Sequence, residues 1–255
     1  MSYQLVIDSG NTAIKWGVFD RDNWIDKGVI VQANRDSLKN AWKNIAVPSQ
    51  ITISNVAGSL VGQSLKSIFE NLGWKVKVHW ITAKDFQCGV SNSYSIPSQL
   101  GSDRWAALIA SWKIRRQSCL VICVGTAMTV DVLSNNGEFM GGIITPGLDL
   151  MQNSLVNRTA LLTQPNNGCF QALPRNTEDA MASGAIRALT GAIDQMYSLI
   201  SDNLTISQPA CIISGKGAQA ILPYISIVSK EWVDDLVLEG LRIISLEDSS
   251  IVFEL

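Results

Sequence analysis

The sequence predicts an α/β fold made of two related domains that face a cleft. The hexapeptides LVIDSG at 5–10 and LVICVG at 120–125 agree at four of six positions and lie 115 residues apart. Each one ends a β-prone run and leads directly into a turn that carries a threonine. The repeat therefore indicates a repeated structural unit and not only matching residues. We therefore expect one domain over 1–117 and a second over 118–255.

The first half begins with three short β-prone runs, broken by Gly, Asn or Asp, which predict an antiparallel meander: QLVID, AIKWGVF and KGVIV. Two further strands are expected at 51–54 and 76–81, and the apolar residues between them recur at the spacing of an amphipathic helix. Another helix is expected from Ser102 to about Arg116. Ser102 can cap this helix, and Asp103 suits the positive end of its dipole.

The second half restarts the order of strand, glycine-rich turn and strand over 119–144. A long helix is expected to begin near Thr177, with Thr177 as its N-cap. A strand at 210–214, a helical stretch near 216–223 and a final strand near 251–254 are expected after it. Each half therefore opens with strands and continues with helices.

Composition excludes several classes of function. The 20 Lys and Arg against 22 Asp and Glu give a net charge of −2, without the basic surface of a nucleic-acid binder. No apolar run approaches the length of a membrane-spanning helix, and the N-terminal residues lack the pattern of a secretory signal. Five scattered cysteines without a C-x-x-C pair indicate reduced thiols, and hence a cytoplasmic protein. With a single histidine, carboxylates must carry any acid–base chemistry.

The turn D-S-G-N-T at 8–12, with Lys15 close behind it, has the residue types of a phosphate-binding turn. Gly10 lets the backbone approach a phosphate closely, and the polar residues after it offer donors. Lys15 can place a cation beside the anion, and Asp8 at the strand end can hold a hydrated magnesium ion. An ordinary hairpin turn uses the same residue types, so that alternative stays open.

The block Y-S-I-P-S-Q-L-G-S-D-R-W at 94–105 places a glycine directly before the predicted helix, where free N–H groups favour an anion. Asp103 could accept a proton from a hydroxyl, and Arg104 could bind a carboxylate or a phosphoryl group. The alternative is a plain helix start with an exposed arginine.

The segments V-G-T-A-M-T-V-D at 124–131 and G-G-I-I-T-P-G at 141–147 form the counterpart in the second half. Thr126 repeats the chemistry of the first phosphate turn. Thr129 and Asp131 stand in alternating positions of a strand, so their side chains share one face. Each of these features alone is also typical of a hairpin.

Together these blocks resemble the type III pantothenate kinases, members of the acetate and sugar kinase/actin superfamily. Five blocks match in order along the chain: D-x-G-N-T-x-x-K at 8–15, Y-x-x-P-x-x-L-G-x-D-R-W at 94–105, G-T-A-x-T-x-D at 125–131, G-G-x-I-x-P-G at 141–147, and a helix opened by N-T at 176–177 that continues to S-G at 183–184. The likeness covers essentially the whole chain.

The resemblance implies duplicated actin-like (ribonuclease H-like) domains and transfer of the ATP γ-phosphoryl group to the primary hydroxyl of pantothenate, the first step of coenzyme A synthesis. Asp103 would be the general base, and Thr177 would reach the substrate from the partner subunit of a homodimer. The other substrate contacts that it implies are Tyr94, Gly101, Ser102 and Arg104. The ATP contacts that it implies are Asp8, Ser9, Gly10, Asn11, Thr12, Ala13, Ile14, Lys15 and Thr126.

The sequence departs from the family at Cys123, where the family usually has an aspartate that binds a monovalent cation, K⁺ or NH₄⁺. The internal repeat makes the same point, because Cys123 aligns with Asp8. A neutral thiol is a poor ligand for a hard cation. Either the remaining oxygens hold the cation, with Asp131 as the candidate, or cation activation is lost.

Two other functions stay open at this point. The first is a nucleotide-binding accessory or regulatory protein that keeps the fold without the reaction. A pure binder has no need for a base beside an arginine, which argues against it. The second is a kinase of the same superfamily that acts on a sugar or a short acid, and the block at 94–105 disfavours this reading.

Overall fold

The computed structural model describes residues 3–163, 168–203 and 209–251, which form two compact units: 1–114 together with the chain from 235 onward, and 115–234. The strands are β1 Gln4–Ser9, β2 Ala13–Asp20, β3 Asn23–Val31, β4 Gln50–Asn55, β5 Lys77–Trp80, β6 Phe86–Gln87, β7 Val90–Asn92, β8 Cys119–Val124, β9 Ala127–Leu133, β10 Glu138–Pro146, β11 Ala210–Ser214 and β12 Lys230–Trp232. The α-helices are α1 Leu38–Trp42, α2 Ser59–Asn71, α3 Ser102–Arg115, α4 Leu148–Arg158, α5 Thr177–Asn203, α6 Ala218–Ile221 and α7 Leu236–Ile251. Short 3₁₀ helices occupy Gln32–Ser37, Pro97–Gln99 and Leu222–Tyr224.

The first unit is built on a five-stranded sheet in the order β3-β2-β1-β4-β5. The pairs β1–β2 and β2–β3 are antiparallel, whereas β1–β4 and β4–β5 are parallel. Parallel neighbours need a crossover, and α2 supplies the one between β4 and β5. The central strand β1 carries the fully buried run Leu5 to Ile7, as expected for a strand that is covered on both faces.

An aromatic cluster closes the core of this unit. Trp42 at the end of α1 stacks on Phe69 of α2 and on Trp74, with ring centroids 5.8 and 6.0 Å apart. Trp16 of β2 meets Trp42 edge to face at 6.2 Å. These rings bury large apolar areas in the geometries that aromatic pairs prefer, so they hold the crossover helices on the sheet.

The second unit repeats the strand pattern of the first. Its five strands stand in the order β10-β9-β8-β11-β12, with β8–β9 and β9–β10 antiparallel and β8–β11 and β11–β12 parallel. The apolar face of β8 and β9 packs against Leu189 and Ile193 of α5. Two sheets of the same order and orientation confirm the predicted repeat and the duplicated α/β fold class.

The compact units differ in one respect from the predicted division into 1–117 and 118–255: α7 packs with the first unit, against β1, β2 and β4. Leu241 and Ile244 are fully buried there, and Ser245 bonds to Thr52 of β4 at 3.0 Å. A Cβ at Gly240 would collide with the backbone of Ala106, so the glycine lets α7 approach α3 closely. The strand expected near 251–254 lies outside the described residues, apart from Ile251, which ends α7.

Candidate active site

The predicted phosphate-binding turn joins β1 to β2. The Gly10 N–H donates to the Ala13 carbonyl at 3.1 Å and closes the turn. Gln32, directly after β3, holds this turn through two hydrogen bonds. Its side-chain amide donates to the Gly10 carbonyl at 2.7 Å, and its backbone N–H donates to the Thr12 carbonyl at 2.9 Å. No local motif predicts this role for Gln32, because the contact joins residues that are distant along the chain.

The predicted nucleotide contacts in this turn fall into two groups. The side chains of Asn11 and Thr12 are exposed, and Ala13 is half-buried. The side chains of Ser9 and Ile14 are fully buried. Ser9 and Ile14 can therefore meet a ligand only through their backbone.

Four charged residues of the first unit gather beside the turn. Asp8 and Lys15 are direct partners in the β1–β2 register, and the Lys15 ammonium lies 2.9 Å from a carboxylate oxygen of Asp235. Burial, together with the negative charges of Asp103 and Asp235, raises the pKa of Asp8 from its usual 3.8 to about 7, and Lys15 opposes the rise. Asp8 and Asp103 are therefore close enough for their charges to interact.

Asp103 lies in the first turn of α3, where Gly101 makes room for it. The Trp105 N–H donates to the Gly101 carbonyl at 2.9 Å, which makes Gly101 the N-cap. The expectation that Ser102 caps the helix is wrong: its buried hydroxyl faces Ser54 of β4 at 2.8 Å. A Cβ at Gly101 would lie 2.6 Å from Oδ1 of Asp103, so the absence of a side chain there lets the carboxylate bend back over the helix start.

Arg104 is buried, contrary to the alternative of an exposed arginine. Its guanidinium donates to the hydroxyl of Tyr94 at 3.2 Å and stands 5.9 Å from the centre of that ring. Tyr94 in turn donates its N–H to Asn92 at 3.0 Å. The predicted substrate residues Tyr94, Gly101, Asp103 and Arg104 therefore form one contiguous group.

The turn between β8 and β9 repeats the first turn. The Gly125 N–H donates to the Ala127 carbonyl at 2.9 Å, and the exposed Thr126 accepts from the Gly147 N–H at 2.8 Å through its carbonyl. A Cβ at Gly147 would collide with the carbonyl of Gly125, and one at Gly215 with that of Val124. Two neighbouring segments thus lie directly on this turn, which only glycine permits.

Cys123, Thr129 and Asp131 share one face of the second sheet. Cys123 pairs directly with Thr129, and Asp131, which is 1% exposed, stands two residues further along β9. The hydroxyl of Thr129 is buried and has no hydrogen-bond partner in the described part of the chain. Oxygen donors of this kind suit a hard cation, and the thiol does not.

Thr177 opens α5 with an exposed side chain, but it is not the N-cap that was expected. Asn176 caps the helix: its side-chain oxygen accepts from the Asp179 N–H at 2.9 Å, and its amide donates to the Asp179 carboxylate at 2.8 Å. Thr177 lines a cavity of about 620 Å³ together with Leu155 and Met181.

Across the described ranges, no group of three or more His, Cys, Asp or Glu could hold a metal ion. None of the helices that the structure describes is long and apolar enough to cross a membrane.

Solved structures show the class of fold. The chain is similar to the activator of 2-hydroxyisocaproyl-CoA dehydratase from Clostridium difficile with bound ADPNP, at a TM-score of 0.57 and 11% identity over 99% of this chain and 97% of that one. It is also similar to MreB5 of Spiroplasma citri bound to ADP, at 0.51 and 10% over 98% and 97%. A Campylobacter jejuni protein of the Baf transcriptional activator family gives 0.59 and 20% over 96% and 99%. The chain has the actin-like fold that these structures share.

Sequence comparison then shows the family. The family model for type III pantothenate kinase matches residues 4–199. The type III pantothenate kinase of Nitrosospira multiformis is 49% identical over 96% of this chain and 92% of its own, and that of Nitrosomonas eutropha is 48% identical over 96% and 95%. The chain belongs to the type III pantothenate kinase family.

Proposed function

We propose that this protein transfers the γ-phosphoryl group of ATP to the primary hydroxyl of pantothenate. The observation that carries the proposal is the gathering of Asp8, Lys15 and Asp103 beside one glycine turn. Phosphoryl transfer needs a positioned nucleotide, neutralised charge and an oriented acceptor, and these residues can provide all three. Family membership and relatives named for this reaction favour it over the accessory protein.

In this proposal the turn of the first unit contacts the nucleotide phosphates through the exposed donors of Asn11 and Thr12 and through the ammonium of Lys15. Thr126, exposed in the repeated turn of the second unit, is also proposed as an ATP contact. Mg²⁺ would take a carboxylate oxygen from Asp8 and its other ligands from phosphates and water, since it needs few protein ligands. When bound, the ion would neutralise phosphate charge and shift Asp8 towards its ionised form.

Asp103 is the general base in this proposal. The hydroxyl oxygen of pantothenate forms a bond to the γ-phosphorus while the bond from that phosphorus to the β,γ-bridging oxygen breaks, and ADP leaves. The hydroxyl proton passes to the Asp103 carboxylate. Arg104, held in place by Tyr94, offers its remaining donors to the carboxylate of pantothenate or to the moving phosphoryl group.

The first prediction concerns this base. Asp103→Asn keeps the shape of the side chain and cannot accept the proton, so pantothenate-dependent ADP release should fall at least a hundredfold. The matched control is Asp36→Asn, which removes the same charge at an exposed position and should leave the rate unchanged. A loss of less than tenfold, about 1.4 kcal/mol, excludes Asp103 as the base. ATP binding without pantothenate-stimulated turnover in the wild-type protein would instead support the accessory role.

We also propose a homodimer in which Thr177 serves the partner's substrate site. Several large apolar side chains of the second unit are exposed: Met140, Ile144, Leu150, Leu155, Leu161 and Leu173. Leu155 lines the same cavity as Thr177, so a partner that covered these side chains would also meet that cavity. Location in the cytoplasm stays a prediction from the cysteine pattern.

A further inference from the structure

The charged group beside the first turn includes Asp235, which belongs to none of the motifs found in the sequence. Its carboxylate lies 2.9 Å from the ammonium of Lys15 and 3.8 Å from that of Lys27, and it is 18% exposed. Lys15 is the cation that the proposed function assigns to the nucleotide phosphates. We propose that Asp235 is a positioning residue for ATP: it holds the Lys15 ammonium at the phosphate-binding turn. The inference rests on the proposed function only for the role of Lys15.

The backbone of Asp235 is set for this contact. Asp235 has a φ of 49°, in the left-handed region that side chains other than Asn, Asp and Gly rarely adopt. Its carbonyl accepts from the Glu239 N–H at 3.1 Å and so begins α7. The backbone conformation sets the direction of the Cα–Cβ bond of Asp235, and the hydrogen bond from Glu239 holds that conformation.

The start of α7 is also tied to the hairpin that carries Lys15. Glu239 accepts from the Trp24 indole at 2.6 Å and from Arg242 at 3.0 Å. Arg242 in turn lies 3.1 Å from Asp22 in the turn between β2 and β3. Asp235 therefore keeps a constant position relative to β2, which a carboxylate on a free loop would not do.

Asp235 separates two like charges. Without it, the ammonium groups of Lys15 and Lys27 would repel each other, and the long Lys15 side chain would lose its preferred position. An ammonium has three donor hydrogens, so the contact of Lys15 with Asp235 is compatible with a contact to a phosphate. Lys27 is itself fixed over the Trp24 ring, 4.4 Å from its centre.

The test is Asp235→Asn, which removes the charge, keeps the shape and preserves tolerance for the positive φ. Affinity for Mg²⁺ and the non-hydrolysable analogue AMPPNP, measured by calorimetry without pantothenate, should fall about tenfold. In turnover, KM for ATP should rise by a similar factor while kcat changes about twofold or less. Asp234→Asn removes the same charge at the neighbouring exposed residue and should leave affinity and KM unchanged.

A double-mutant cycle separates positioning from a general effect on the fold. Lys15→Met alone should weaken AMPPNP binding, and adding Asp235→Asn should weaken it no further. Additive losses, or an unchanged affinity in Asp235→Asn, overturn the proposal. Asp235→Glu, which keeps the charge, should stay within about threefold of wild-type affinity even if Asp235→Asn folds poorly; a loss as large as that of Asp235→Asn also overturns it.

The proposed function can fail separately from this inference. A protein that binds AMPPNP with the stated dependence on Asp235 but does not phosphorylate pantothenate leaves the role of Asp235 standing and removes the kinase assignment. A protein that binds no AMPPNP removes both.

Discussion

At the scale of single residues, contacts between residues far apart along the chain hold the first turn and Lys15 of the candidate site in place. The sequence predicts Asp8, Lys15 and Asp103 as site residues because each belongs to a local motif. Gln32 and Asp235 belong to the same region but lie in other parts of the chain. Asp235 is 220 positions from Lys15, so no local motif could predict their contact. The caps were assigned one residue too late at Ser102 and Thr177, because serine and threonine are the usual caps.

The raised pKa of Asp8 gives a prediction about stability. The folded protein holds a proton on Asp8 up to about pH 7, whereas an unfolded aspartate releases it near its usual pKa of 3.8. The unfolding free energy of the wild-type protein should therefore carry a term that is present in full below about pH 4 and is lost as the pH rises to about 7.

Asp8→Asn lacks this term, so its unfolding free energy relative to wild type should rise between about pH 4 and pH 7 and then stay level. The rise should amount to about 4 kcal/mol at most. Urea titrations followed by tryptophan fluorescence report on the first unit, where most of the tryptophans lie. A difference in unfolding free energy that does not vary with pH contradicts the prediction.

At the scale of elements, strands and amphipathic helices were predictable where burial imposed a pattern. The meanders, α2, α3 and α5 agree with the sequence analysis. The sequence analysis did not predict α4, in which no residue is fully buried and the apolar side chains are only partly buried or exposed. α7 was missed because Gly240 and the buried Ser245 interrupt its apolar pattern.

The exposed α4 gives a prediction about assembly. Leu155→Glu places a charge on the face proposed for the homodimer, so the protein should sediment as a monomer and lose at least tenfold in pantothenate-dependent turnover. Val228→Glu places the same charge at a residue that is 96% exposed, and this variant should remain dimeric and active. A wild-type protein that sediments as a monomer at micromolar concentration would rule out the dimer.

At the scale of the whole molecule, the duplication was predictable from six letters, because both copies keep the buried central strand and its turn. The two copies differ chemically, since the position of Asp8 in the first is Cys123 in the second. In the second copy, Thr129 and Asp131 place buried oxygens on the same face as Cys123, and these oxygens are the candidate ligands for a monovalent cation. Sequence pattern could place them on one face but could not show that the Thr129 hydroxyl lacks a partner.

Because the Thr129 hydroxyl and Asp131 offer buried oxygens on one face, we predict that cation activation is retained and depends on Asp131. Turnover should rise with KCl at constant ionic strength, and Asp131→Ala should abolish the rise because it removes the charged ligand. Thr129→Val, which keeps the side-chain shape, should increase the KCl needed for half-maximal turnover. Equal turnover from zero to high potassium would show that cation activation has been lost.

The return of α7 to the first unit affects the order in which the chain can fold during synthesis. The unit 115–234 is one continuous stretch of the chain. The first unit is complete only when α7 has been made, and α7 follows 115–234 in the sequence. The later-made unit can thus close while β1, β2 and β4 still await the cover of α7. Until α7 is made, the apolar side chains that it covers on these first-translated strands stay exposed and can bind chaperones.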